Sequence, residues 1–119
     1  MTDVGSRRMS MDPRRLTGAE AKRGAPALWN LLNAVFHADW RDDFDSARKA
    51  LEADLSRYGN PDRQLVHEEA AEWLANDVTD SQVEHFLELS GADLWIESEL
   101  HMSGRAFARL IFDLTEDAA

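Results

Sequence analysis

An all-α fold, a compact bundle of about five helices behind a disordered N-terminal tail, is predicted by three features of this 119-residue chain. Apolar residues recur at helical spacing in five separate segments. Each segment carries start or stop residues at its ends. No glycine-rich phosphate loop and no run of alternating strands interrupts them.

The first predicted helix opens at Pro26, whose missing N–H costs nothing in a first turn, and its stripe is Leu28, Leu31, Leu32, Val35 and Phe36. It is expected to end near His37 to Trp40. After the acidic connector Arg41, Asp42, Asp43 and Phe44, a cap at Asp45 or Ser46 starts a second helix with Ala47, Ala50, Leu51, Leu55 and Tyr58 on one side. Gly59 is its expected stop. Asn60 and Pro61 open the third, whose stripe is Val66, Ala70, Trp73 and Leu74 and whose outer face is Glu68, Glu69 and Glu72. Thr79 followed by Gln82 has the spacing of a capping box and introduces a fourth helix with Val83, Phe86, Leu87 and Ser90, closed by Gly91. Ala92 to Leu100, with the apolar run Leu94, Trp95 and Ile96, reads as an irregular connector. Ser103 then caps a last helix with Ala106, Phe107, Leu110, Ile111 and Leu114 facing inward. The domain division is a flexible basic tail over 1–25 and a helical domain over 26–119.

Charge narrows the function classes. The chain has 23 acidic and 13 basic residues, a formal charge of −10, which opposes a nucleic-acid backbone and argues against direct DNA or RNA binding. Residues 1–25 carry +3, leaving −13 on the body, and the segment from Gln64 to Gly104 holds ten acids and not one Lys or Arg. The absence of cysteine removes thiolate metal sites and thiol nucleophiles and suits a reducing cytosol. No apolar run approaches the roughly 20 residues that span a bilayer, and Met1 to Gly24 lacks the apolar stretch of a secretion signal. A cytoplasmic protein without membrane contact is expected.

Catalytic and metal readings find little purchase. His37, Asp39, Asp42, Asp43 and Asp45 crowd into nine residues, but a calcium loop needs a central glycine and a distant Glu, and neither is there. The plainer account is a solvated loop that caps the second helix. His67, Glu68 and Glu69 lack the second histidine of a zinc helix, because position 71 is Ala. No metal, cofactor or enzymatic activity is expected, and His85 and His101 read as surface groups.

The acids of the fourth helix are more informative. Asp80, Glu84 and Glu88 stand four apart, on one ridge, where like charges cost about 0.2–0.5 kcal/mol per pair. Glu88 also lies at the wrong end of the helix dipole. Glu68 and Glu72 repeat the spacing on the third helix. Either this is the solvated face of an acidic protein or it is a surface built for a cationic partner. Trp29 and Trp73 fit their helices' apolar stripes, whereas Trp95 admits both core burial and an exposed aromatic anchor. The candidate partner-binding set is Glu68, Glu69, Glu72, Asp80, Glu84, Glu88, Trp95, Glu97 and Glu99.

Pro26, Ala27, Leu28, then Val35 to Trp40, then Asp43, Phe44, Asp45 and the helix through Ala50 and Leu51 resemble the immunity proteins of bacterial contact-dependent growth inhibition systems. In those proteins an early helix ends in an aromatic-x-x-Asp-Trp motif, matched by Phe36 to Trp40, and an acidic aromatic connector leads into the second helix. The resemblance spans roughly 26–115 in order and length, with its specific part in 26–51. The connector around Trp95 departs from the family's more polar, Gly- and Pro-bearing stretch. The resemblance implies a cytosolic protein that binds and blocks the C-terminal toxin domain of a sister cell's surface effector, frequently a nuclease. It assigns Phe36 to Trp40 to the fold, with Trp40 packing and Asp39 capping or pairing locally. The alternative is a helical adaptor or nucleic-acid mimic for another basic protein. A third class is a hydrolase built on His37 and its neighbouring aspartates.

Overall fold

The computed structural model describes residues 18–56 and 60–116, and these are mostly helical with no strand among them. The helices are α1 (Gly18–Gly24), α2 (Pro26–Val35), the single turn α3 (Trp40–Asp43), α4 (Ala47–Asp54), α5 (Arg63–Ala75), α6 (Asp80–Ser90) and α7 (Gly104–Leu114). A π-helical turn, Ile96–Leu100, lies between α6 and α7. The five predicted helices are α2, α4, α5, α6 and α7.

Local signals set most boundaries. The Ser46 side chain accepts from the Lys49 N–H, and Ser103 does the same for Ala106. Thr79 and Gln82 exchange both hydrogen bonds of a capping box, at 3.1 and 2.9 Å. Gly91 closes α6 in the left-handed region at φ 79°. Asn60 and Pro61 precede α5 rather than opening it: Asn60 Oδ1 accepts from the Asp62 N–H at 2.7 Å, forming a turn, and the helix begins at Arg63.

Three expectations are corrected. Residues 1–25 are not all tail, because Gly18–Gly24 is helical and Ala21 and Ala25 are buried. These alanines are four apart and fit against α2 and α6; their small side chains leave no visible apolar stripe in the sequence. Residues 1–17 lie outside the described residues, as do Tyr58 and Gly59, the latter named as the stop of the second helix. The first predicted helix ends at Val35, before His37, and Trp40 starts its own turn instead. The connector is irregular only over 92–95 and then winds into the π turn, which ends at His101 in the left-handed region, φ 55°.

α2, α5, α6 and α7 surround the main core: α5 and α6 each pack on both α2 and α7, while α4 packs on α2 and the π turn. Phe36, Phe107, Leu28, Leu32, Leu51, Val66 and Ile111 are fully buried. Trp29 and Trp73 are partly buried and set their rings edge-on to Phe86, at 5.8 and 4.9 Å. His67 is buried rather than solvent-facing. It stacks on Phe112 at 4.5 Å, and its Nδ1 lies 2.9 Å from Thr115 Oγ1. The Thr115 hydroxyl donates to the Ile111 carbonyl, so the imidazole is the donor to it.

Gly104, the first residue of α7, lies close against α6. A Cβ there would lie 2.5 Å from the Asp80 carbonyl oxygen and 3.0 Å from Val83 Cβ. Gly104→Ala is therefore expected to destabilise the protein by about 1–3 kcal/mol despite alanine's better helix propensity. A urea melt checks this, and an unchanged midpoint would contradict the close approach.

Candidate functional site

The carboxylates of the acidic stretch separate into those the fold uses and those it leaves facing solvent. Glu69 belongs to the first group and is corrected from the predicted outer face. α2 begins Ala25–Pro26, with no side-chain cap of its own, and Glu69 reaches over from α5 to accept from the Ala27 and Leu28 N–H groups at 3.1 and 2.8 Å. It is a cap supplied by another helix. Burial pushes its carboxyl above the ordinary range, opposed by those two N–H donors. Glu69→Ala strands both donors and is expected to cost about 1–2 kcal/mol in chemical denaturation.

Glu99 is the second correction. It faces Arg41, which grips it in a fork, Nε to Oε2 and Nη2 to Oε1, both 2.8 Å. Arg41 also donates from Nη1 to Asp93 Oδ2 at 3.0 Å and lies over the Trp40 ring, 4.5 Å from its centroid. Glu99 Oε1 accepts in addition from the Trp95 N–H at 2.9 Å, which closes the π turn. Trp40 is buried at 2% exposure, and its indole N–H donates to the Asp93 carbonyl at 2.6 Å. Trp40 and Arg41 thus hold both ends of the connector. Asp39 does not cap: its side chain makes no capping bond, and its N–H donates to His37 Nδ1 at 3.1 Å.

The Arg41 fork holds the Glu99 carboxyl below its ordinary range, against the cost of its desolvation and with help from the Trp95 N–H. A lowered folded-state value contributes stability above the unfolded carboxylate pKa and loses it as pH falls through the folded value. Below about pH 5 the native chain should therefore lose stability through Glu99. In Arg41→Met that part of the acid dependence should vanish, read as a flatter plot of melting temperature against pH; an unchanged slope would refute the coupling.

Asp80 is exposed but tied to the fold, its Oδ1 accepting from the Arg105 N–H at the start of α7, at 2.9 Å. The other predicted carboxylates, Glu68, Glu72, Glu84, Glu88 and Glu97, are exposed. Glu84, Glu88 and Glu97 converge, together with Trp95, on an open groove of about 950 Å³ between α6 and the connector. Leu87, Ala92, Leu94 and Ile96 add apolar lining. Glu68 and Glu72 sit on α5, which supplies none of that lining. The question left open at Trp95 resolves as an exposed aromatic: it is 70% exposed, between buried Leu94 and Ile96.

His85, which sequence reasoning placed on the surface, lines the same groove and is only 24% exposed. Its Nδ1 lies 3.6 Å from Glu88 Oε1, and its Nε2 is buried without a hydrogen-bond partner. Its i, i+3 spacing from Glu88 was the available signal.

The crowded acids beside His37 do not gather at one point: His37 Nε2 lies 3.8 Å from Asp43, while Asp45 pairs with Lys49 at 3.7 Å. Among the described residues no three His, Asp or Glu side chains are grouped to hold a metal ion, and no helix is long and apolar enough to cross a membrane. No protein-family model, curated protein or solved structure matches the chain.

Proposed function

We propose that this chain is an immunity protein that binds and neutralises the cognate C-terminal toxin domain of a contact-dependent growth inhibition effector through its acidic surface. The observation that carries this reading is the groove where Glu84, Glu88, Glu97 and the exposed Trp95 meet, within a segment of ten acids and no Lys or Arg. An aromatic anchor with charges of one sign beside it is the composition of a contact surface with an energetic centre and a steering field. A nuclease must hold a polyanion, so its substrate groove is basic, and a rigid anionic face complements it. The resemblance over 26–51 supplies the family.

On this reading the protein acts in the cytoplasm by stoichiometric binding, with no catalytic residue, cofactor, nucleic acid or membrane of its own. Glu84, Glu88, Trp95 and Glu97 make the contact. Glu68 and Glu72 add to the field from α5, and Glu69, Glu99 and Asp80 serve the fold.

The test is co-expression with the C-terminal domain encoded by the adjacent upstream reading frame. Growth should be rescued and an equimolar complex recovered. Failure to rescue, with stable binding to a different basic protein of the same cell, would replace this reading with the adaptor or nucleic-acid mimic.

A further inference from the structure

We propose, resting on the reading of the groove as a contact surface, that it is a receptor for an arginine side chain of the partner, whose guanidinium stacks on the Trp95 indole while donating to the carboxylates of Glu84, Glu88 and Glu97. The geometry of the connector presents Trp95 for this. Leu94 and Ile96 are buried on either side of it, so the extended backbone turns the intervening indole outward. Its own N–H is fixed by Glu99, and Glu99 by Arg41. The backbone that carries the ring is held in place before any partner arrives, which lowers the entropy lost on binding.

The lining of the groove selects the ligand. Its carboxylates come from two elements, Glu84 and Glu88 on α6 and Glu97 on the connector, and Leu87 adds apolar lining. An ammonium group is a compact, strongly hydrated charge that gives up much to enter such a place. A guanidinium is planar and weakly hydrated, stacks on an indole and still donates in its own plane to two carboxylates. The protein already uses this chemistry internally, where Arg41 lies over Trp40 and forks onto Glu99 and Asp93. Trp95 with its carboxylates offers the same half of that arrangement to an arginine from outside.

The experiment titrates the full chain with triarginine and with trilysine peptides at equal ionic strength, following the indole N–H signals by NMR and the affinity by calorimetry. The Trp95 indole signal should move, and triarginine should bind about fivefold or more tightly than trilysine. Trp95→Ala should bring the two peptides level without changing the melting temperature. Glu84→Gln with Glu88→Gln should weaken both. Equal binding of the two peptides by the native chain, or an arginine preference that survives Trp95→Ala, overturns the proposal. The outcome is separable from the immunity reading. An arginine preference lost in Trp95→Ala, without rescue on co-expression, leaves the receptor standing and removes the toxin. Rescue by both the native chain and Trp95→Ala, without any arginine preference, does the reverse.

Discussion

Trp40→Ala should lower the folding stability by about 3–5 kcal/mol. The indole is 2% exposed, packs edge-on against Phe36 at 5.3 Å and donates to the Asp93 carbonyl. Its removal empties a large volume, leaves that carbonyl with only the longer bond from Arg41 Nη2, at 3.2 Å, and takes away the ring on which Arg41 rests. Trp40→Phe separates these contributions, since it keeps most of the apolar contact and loses only the N–H donor, for about 1–2 kcal/mol. Urea melts of the two variants give the comparison. A loss below about 1 kcal/mol for the alanine variant would mean that the site collapses to fill the space. The connector hangs from Asp93, so both variants should also weaken partner binding although position 40 lies outside the groove.

Reversing Glu84, Glu88 and Glu97 together to lysine should slow association with a basic partner domain by about ten- to a thousandfold at low salt. All three carboxylates are exposed and line the groove, so the change of six charge units falls on the proposed contact surface. Stability should move little. Glu88 lies in the last turn of α6, where a cation suits the helix dipole, and Glu84→Lys turns the repulsion with Asp80 into an attraction, while positions 84 and 88 remain alike in charge. A variant that folds as well as the native chain and associates far more slowly is the expected pairing, measured by circular dichroism and stopped-flow mixing across a salt series. Unchanged association, with the salt dependence intact, would move the contact elsewhere on the acidic surface.

What could be read from the sequence divides according to how far apart the interacting residues lie. Ser46, Thr79 with Gln82, Gly91 and Ser103 act on backbone groups within a few positions, and each behaves as its spacing predicts. Glu69 and Glu99 look like surface charges because their partners, Leu28 and Arg41, are 41 and 58 residues away. One clue to Glu69 was available: a helix beginning Ala25–Pro26 has N–H groups that no neighbouring side chain caps, so their acceptor is either water or a residue distant in sequence. Ala21 and Ala25 escaped notice because two small side chains give almost no periodic signal. Trp95 could not be placed until the connector's path made Leu94 and Ile96 the buried residues and left the indole outside. The ridge Asp80, Glu84 and Glu88 was legible from helical geometry alone, but that Glu97 faces it across a groove depends on the π turn and on Arg41.

The cap that Glu69 places on α2 links two stretches of chain that leave the ribosome at different times. When Pro26–Val35 emerges, its leading N–H groups have water for partners, and the acceptor that will replace it is still some 40 residues from synthesis. Nucleation of so short a helix is unfavourable in isolation. Its leading N–H groups therefore gain their protein acceptor only when α5 docks, which ties the stability of the first turn of α2 to the packing of α5.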